Sequence, residues 1–174
     1  MAAVLIRHTR LEGNAGHCYG RHDFPLASSF PSEAAAVRER LPWQPTRVWC
    51  SPAHRCLRLA EVLAGAAPVE VMEALAELDF GAWEGRRWEE LTGPDVEAWM
   101  QDPWNVRPPG GETAGELVER VRGVRAQALT LSAERLLVIT HAGVIRAWAS
   151  IKEGTTLEAA FSLPVGFGEI RSGD

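Results

Sequence analysis

Apolar residues fall along this chain in short unbroken runs, separated by longer stretches of helical spacing. "AAVLIR", residues 2–7, is one such run, and its lack of alternation fits a strand buried on both faces. "RVWC" at 47–50 and "PVEVM" at 68–72 are the next strand candidates, and "RLLVIT" at 135–140 is the most convincing buried strand. "LPVGFGEIRS" at 163–172 supplies a candidate final strand. Between the runs, "PSEAAAVRERL" opens with proline and serine and continues in strong helix formers, which predicts a helix from near Ser32. "SPAHRCLRLAEVLAG" predicts a helix capped by Ser51, with Pro52 at its first position and Gly65 as its stop. In "ETAGELVERVRGVRAQALTLS", ending at Ser132, the 4-3-4 spacing of Leu117, Val121, Val124 and Ala128 places all four on one face of a long helix. "AGVIRAWASI" continues as a helix after "RLLVIT".

The alternation breaks between Glu77 and Gly111. This stretch is rich in tryptophan, glycine and proline, carries one expected helix between Trp88 and Met100, and reads as an insertion at about 77–111. Elsewhere strand follows helix, and right-handed crossovers then predict an α/β fold: a three-layer α/β/α sandwich around a mostly parallel central sheet. With 174 residues and no repeat, low-complexity tract or linker, a single domain over 1–174 is expected.

Composition narrows the function classes. The chain is 46% hydrophobic and 24% charged, as ordinary globular proteins are. A net charge of -5 argues against a broadly basic nucleic-acid-binding surface. The apolar start is too short for a signal peptide, and no run approaches the roughly 18 apolar residues of a membrane span. Neither nucleic acid nor membrane is therefore expected as a partner, and the cytoplasm is the expected location. The three cysteines, Cys18, Cys50 and Cys56, are odd in number and form no CxxC pair, so no disulfide framework or structural zinc site is predicted. His17, Cys18 and His22 crowd one glycine-containing loop and cannot easily converge on a tetrahedral ion.

In parallel sheets ligands bind beyond the carboxyl ends of the strands. There the sequence places Arg7 and His8 after the first strand, Ser51 to Arg55 after the second, and His141 after "RLLVIT". Arginine's fork matches phosphate oxygens and keeps its charge, and the helix starts after Ser51 and His141 offer free N–H groups. Together they predict an anion site for phosphate, and the absence of GxxxxGK[ST] separates it from nucleotide P-loops. A neutral histidine whose other ring nitrogen is held can attack phosphorus, which suits His8, with Arg7, Arg55 and His141 as the clamp. A proton for the departing oxygen requires a carboxyl group. Glu77 and Glu84, both in "ELDFGAWEG", are the candidates, and spacing alone does not choose between them.

These residues resemble the histidine phosphatase superfamily, the fold group shared with cofactor-dependent phosphoglycerate mutases. "LIRHTR" is similar to its R-H strand end, "CSPAHRCLRLAEVL" to its S-P-x-x-R helix, and "LAELDFGAWEG" to its L-x-E-x-x-F-G-x-W-E-G loop. "PPGGET" and "VITHAGVIRA" match its P-G-G-E and H-x-G-V-I-R segments. The resemblance implies a phosphoglycerate mutase-like fold and a phosphohistidine on His8. It further implies phosphate contacts from Arg7, Arg55 and His141, Glu77 as proton donor, and neither metal nor cofactor.

Thr9, Arg21 and Ala142 join the expected substrate contacts, Tyr19 and His22 stay unassigned, and Arg146 is expected to pair with a nearby carboxylate. Thr9 stands where glycine most often follows R-H, and Leu59 where the family usually has threonine. "GHCYGRHDFPL" looks like the G-x-C-Y-G-x-x-D-x-P-L loop of the α-ribazole phosphatases, which implies removal of the 5′-phosphate from α-ribazole 5′-phosphate in cobalamin biosynthesis. The chain is short for a mutase, which favours hydrolysis. The alternatives are a broad-specificity small-metabolite phosphatase, a mutase-like enzyme, or a phospho-ligand binding domain without catalysis. Trp83, Trp88, Trp99 and Trp104 crowd the insertion as core, as an apolar lid, or as a stacking surface for a base.

Overall fold

The computed structural model describes residues 2–131 and 134–174. Its frame is a five-stranded sheet built from β1 (Ala2–Arg7), β2 (Arg47–Cys50), β3 (Val69–Val71), β4 (Arg135–Thr140) and β5 (Ile170–Ser172), in the order β3-β2-β4-β1-β5. Every neighbouring pair is parallel except β1 with β5. Because successive side chains on a strand point to opposite faces, β1 and β4 each feed two cores. Ala3, Leu5, Leu136 and Val138 pack with residues of α4 (Ala114–Thr130) and α5 (Ala142–Glu153). Val4, Ile6, Leu137 and Ile139 pack on the other face with residues of α1 (Phe30–Arg40) and α2 (His54–Leu63). The result is the expected α/β/α sandwich. Each wholly buried leucine or isoleucine of these strands contributes about 1.5–3 kcal/mol relative to exposure, which leaves no freedom for a one-residue register slip.

The long helix α4 is started by a capping box: the Thr113 hydroxyl accepts from the Glu116 amide, and the Glu116 carboxylate accepts from the Thr113 amide. Leu117, Val121, Val124 and Ala128 are all buried, as their spacing predicts. The helix is described to Thr130, so its expected end at Ser132 lies outside the described residues.

Four local expectations are corrected. First, α1 begins at Phe30 rather than near Ser32, because Pro31 fits the first turn and the Ser29 carbonyl already accepts from the Glu33 amide. Second, α2 begins at His54 and is not capped by Ser51. Ala53 is extended (φ -60°, ψ 135°), and the Ser51 hydroxyl is engaged by His141. Third, the single helix expected between Trp88 and Met100 is a 3₁₀ turn at Trp88–Glu90 followed by α3 (Pro94–Gln101). Gly93, at φ 112°, breaks the chain between them. Fourth, only Ile170–Ser172 of the last apolar stretch is strand, and a short α6 (Leu157–Phe161), which the pattern did not predict, precedes it. No helix among the described residues is long and apolar enough to cross a membrane, and Cys18, Cys50 and Cys56 are buried free thiols.

Candidate active site

Strand register brings the two histidines together. Arg7 pairs with Thr140 across β1 and β4, so the next residue on each strand, His8 and His141, emerges at the same sheet edge. Their ring centroids lie 5.3 Å apart. Ser51 leaves the neighbouring strand β2 beside them, its amide donating to the Ile139 carbonyl.

His8 is 2% exposed, and its Nδ1 lies 2.8 Å from the Thr9 carbonyl oxygen. A carbonyl can only accept, so Nδ1 carries the proton and donates, and the neutral ring keeps its lone pair on Nε2. Burial above all, then the charges of Arg55 and Arg7, push the pKa of His8 from 6.5 down to about 3. His141 is held well below the ordinary histidine range by burial and the Arg55 charge, with smaller effects from His8, Arg120 and Arg7. A guanidinium can only donate, so Arg55 Nη2 donates to His141 Nδ1 at 3.2 Å, and His141 Nε2 then donates to Ser51 Oγ at 2.7 Å. Both nitrogens of His141 are thus engaged inside the protein, and its ring also lines the cavity.

All three arginines at the site donate to backbone carbonyls. Arg7 Nη1 donates to the Val165 carbonyl at 2.6 Å, and its guanidinium carbon lies 3.8 Å from the centre of the Phe167 ring. Arg55, fully buried, donates to Asp23 Oδ1 at 2.6 Å and to the carbonyls of His22 and Gly20. The buried Nε atoms of Arg7 and Arg55 have no acceptor among the described residues. Arg146 donates to the Leu163 carbonyl at 3.0 Å, correcting the expected carboxylate partner.

The two glutamates left open by spacing are separated by geometry. The Glu84 carboxylate accepts from four backbone amides, those of Gly20, Arg21, His22 and Phe80, at 2.9–3.0 Å. It is fully used in fastening the first loop to the insertion. Gly20 is required there, since a Cβ would sit 1.7 Å from the Leu78 carbonyl oxygen. Glu77 instead lines the cavity beside His8, its Oε2 accepting from the amide of Gly143 in the first turn of α5. The backbone of Glu77 is held from α4: Arg120 pairs with Glu112 at 2.6 Å and also donates to the carbonyls of Ala74 and Glu77.

These groups form the inner end of a cavity of about 210 Å³ to which Arg7, His8, Arg55, Glu77, His141, Ala142, Gly143 and Arg146 contribute. It is lined as well by the buried Leu78 and Leu117, and by His17, Tyr19, Phe80 and the more exposed Trp88 and Phe161. Two expected contacts are not part of it. Thr9 is fully buried and offers its carbonyl to His8 rather than its hydroxyl to the cavity, and Arg21 turns to the Glu77 carbonyl and to Glu73. The start of α2 does not face it either, because Asp23 Oδ2 accepts from the His54 amide. Asp23 and Phe167 were not singled out from sequence: Asp23 had its place in the D-x-P-L stretch as a signal, whereas Phe167 meets Arg7 only through the fold. A larger cavity of about 430 Å³, between α4, the end of α5 and Trp104, contains none of the histidines. Among the described residues no group of three or more His, Cys, Asp or Glu is placed to hold a metal ion.

The chain is similar to known proteins over most of its length. The profile of the histidine phosphatase superfamily (branch 1) matches residues 3–171. The chain is 32% identical over 153 residues to an adenosylcobalamin/alpha-ribazole phosphatase of Salmonella typhimurium, covering 83% of this chain and 76% of that protein. It is 33% identical over 150 residues to a probable phosphoglycerate mutase of Salmonella paratyphi C, covering 81% and 69%. Its structure superimposes on the crystal structure of the alpha-ribazole phosphatase from Shigella flexneri with a TM-score of 0.90 at 25% identity, over 99% of this chain and 89% of that one.

Proposed function

The chain belongs to the histidine phosphatase superfamily and is a phosphatase enzyme, and on that premise we propose that it works through a phosphohistidine on His8 and acts on α-ribazole 5′-phosphate. One observation carries the catalytic reading: a buried histidine kept neutral, with Nε2 unprotonated, in a cavity it shares with Arg7, Arg55, Glu77 and Arg146. An anion there would meet the fixed positive charges of Arg7, Arg55 and Arg146, which line the same cavity.

In this mechanism Arg7 and Arg55 bind the phosphoryl oxygens, and Arg146 adds positive charge. His8 Nε2 attacks phosphorus, the bond from phosphorus to the ester oxygen breaks, and the Glu77 carboxyl group gives its proton to that oxygen. Water then attacks the phosphohistidine and yields a proton to the Glu77 carboxylate. The P–N bond breaks and Nε2 recovers its lone pair. His141 positions Arg55 through Nδ1, Ser51 fixes the His141 ring, and Thr9 holds the His8 tautomer. Water-excluding burial strengthens each of these charge interactions at the moment of transfer.

The substrate assignment is supported by the "GHCYGRHDFPL" loop and by the names of the Salmonella and Shigella relatives. Its test is a competition of phosphomonoesters, with kcat/KM for α-ribazole 5′-phosphate expected to exceed that for a generic aryl phosphate by at least ~10-fold, about 1.4 kcal/mol of discrimination. Equal rates mark a broad-specificity phosphatase instead. The mutase-named relative motivates a second assay, conversion of 3-phosphoglycerate to its 2-isomer. His8→Ala is expected to lower phosphate release at least about 10³-fold and to abolish acid-labile phosphate on the protein. A wild-type protein that releases no phosphate from any phosphomonoester refutes catalysis and leaves a binding domain.

A further inference from the structure

The inner groups account for a phosphate but not for the aromatic side chains at the mouth of the same cavity. Trp88 and Phe161 both line it and are each 39% exposed, in a protein that buries most of its large apolar side chains. Trp88 is also held rigidly. Its indole stacks on Trp99 (centroids 6.0 Å apart, planes at 23°) and meets Phe80 edge to face at 5.6 Å. Trp83 closes the tower against the other ring system of Trp99 at 5.7 Å. The backbone is tied as well, the Trp88 amide donating to the Gly16 carbonyl at 2.9 Å.

A cavity of about 210 Å³ is smaller than the roughly 300–1,000 Å³ that encloses a drug-sized ligand, so a bulky phosphomonoester must lay part of itself at this mouth. A flat indole already fixed by its neighbours loses little side-chain freedom on binding, and it favours a planar ring over a hydrated polyol. We propose that Trp88 is the specificity-determining residue of the site, a fixed platform on which a planar aromatic group carried by the phosphomonoester stacks, with Phe161 as a second wall. The proposal rests on the phosphomonoester reading of the inner groups and adds the part of the molecule that recognises what the phosphate is attached to.

The test is a ratio: kcat/KM for α-ribazole 5′-phosphate, which carries a benzimidazole, divided by kcat/KM for ribose 5-phosphate, which does not. Loss of folded enzyme lowers both values equally and cancels. In Trp88→Ala the ratio is expected to fall at least ~10-fold, the scale of a lost base–aromatic stack, mainly through KM. Trp88→Phe is expected to restore most of it, and Phe161→Ala to lower it about 3-fold. A high wild-type ratio that Trp88→Ala keeps within twofold overturns the platform alone. A wild-type ratio near one overturns both the platform and the α-ribazole substrate.

Discussion

The inner and outer ends of the cavity are built by different physics. At the inner end, His8, Arg55 and His141 are almost wholly buried, and their places follow from the register of parallel strands whose side chains fill two cores. At the outer end the strand pairing is reduced to a single antiparallel bridge, His17 with Arg87, among the described residues. There the first loop and the insertion are fastened by carboxylates taking backbone amides, Glu84 with four of them, and by Arg120 gripping Glu112 and two carbonyls. In the proposed mechanism the chemistry common to every phosphomonoester is thus anchored in the frame, while the proposed discrimination falls to loops that can change without disturbing the sheet.

Acid should attack the inner end first, with the largest effect. His8 and His141 stay neutral in the folded protein, whereas in the unfolded chain they take up protons near pH 6.5. Below 6.5 the unfolded state therefore binds more protons, so stability is full above that pH and falls as pH drops toward about 3. Each histidine adds a slope of up to about 1.4 kcal/mol per pH unit. Urea midpoints at pH 7.5, 6 and 5 check this above the carboxylate range, and a midpoint independent of pH contradicts a neutral pair.

The outer end should fail when its fastening is cut. Glu84→Ala strands four amides, and its expected cost is about 2–3 kcal/mol, read as a lower urea midpoint. Activity should fall on all phosphomonoesters alike, because the Gly20 and His22 carbonyls that hold Arg55 belong to the same loop. A selective loss on aromatic esters alone would contradict that link between the two ends.

The smallest effect concerns their junction. A Cβ on Gly143 would lie 2.2 Å from Glu77 Oε1, the mobile end of a side chain. Gly143→Ala should therefore displace the carboxylate and spare the fold, lowering kcat about 10-fold. Stability should hold or rise by up to about 1 kcal/mol, since alanine suits a helix better than glycine. An unchanged kcat would remove Glu77 from the proton-transfer step.

Much of this was legible in the chain itself. Unbroken apolar runs marked the three inner strands β1, β2 and β4, which are buried, whereas the edge strands β3 and β5 are exposed or half-buried and carry Glu70 and Arg171; the 4-3-4 spacing marked the buried face of α4. Arg7, His8, Arg55 and His141 stood out because charged and titratable groups at strand ends need a purpose that core packing does not supply. Helix starts were less legible: Ser51 reads as a cap locally, yet its hydroxyl meets His141, ninety positions away. Glu77 and Glu84, so alike in sequence context, are set apart by place: Glu84 takes four backbone amides of the first loop and the insertion, whereas Glu77 takes those of Leu78 and Gly143 and lines the cavity. Likewise, no local pattern places Phe167 under Arg7 or stacks Trp88 on Trp99. Sequence by itself determined the frame and the charged and titratable groups at its strand ends, since burial and strand direction are local in origin. Only the tertiary structure decided tautomers, hydrogen-bond partners and the aromatic mouth, because these depend on groups that meet when distant segments pack.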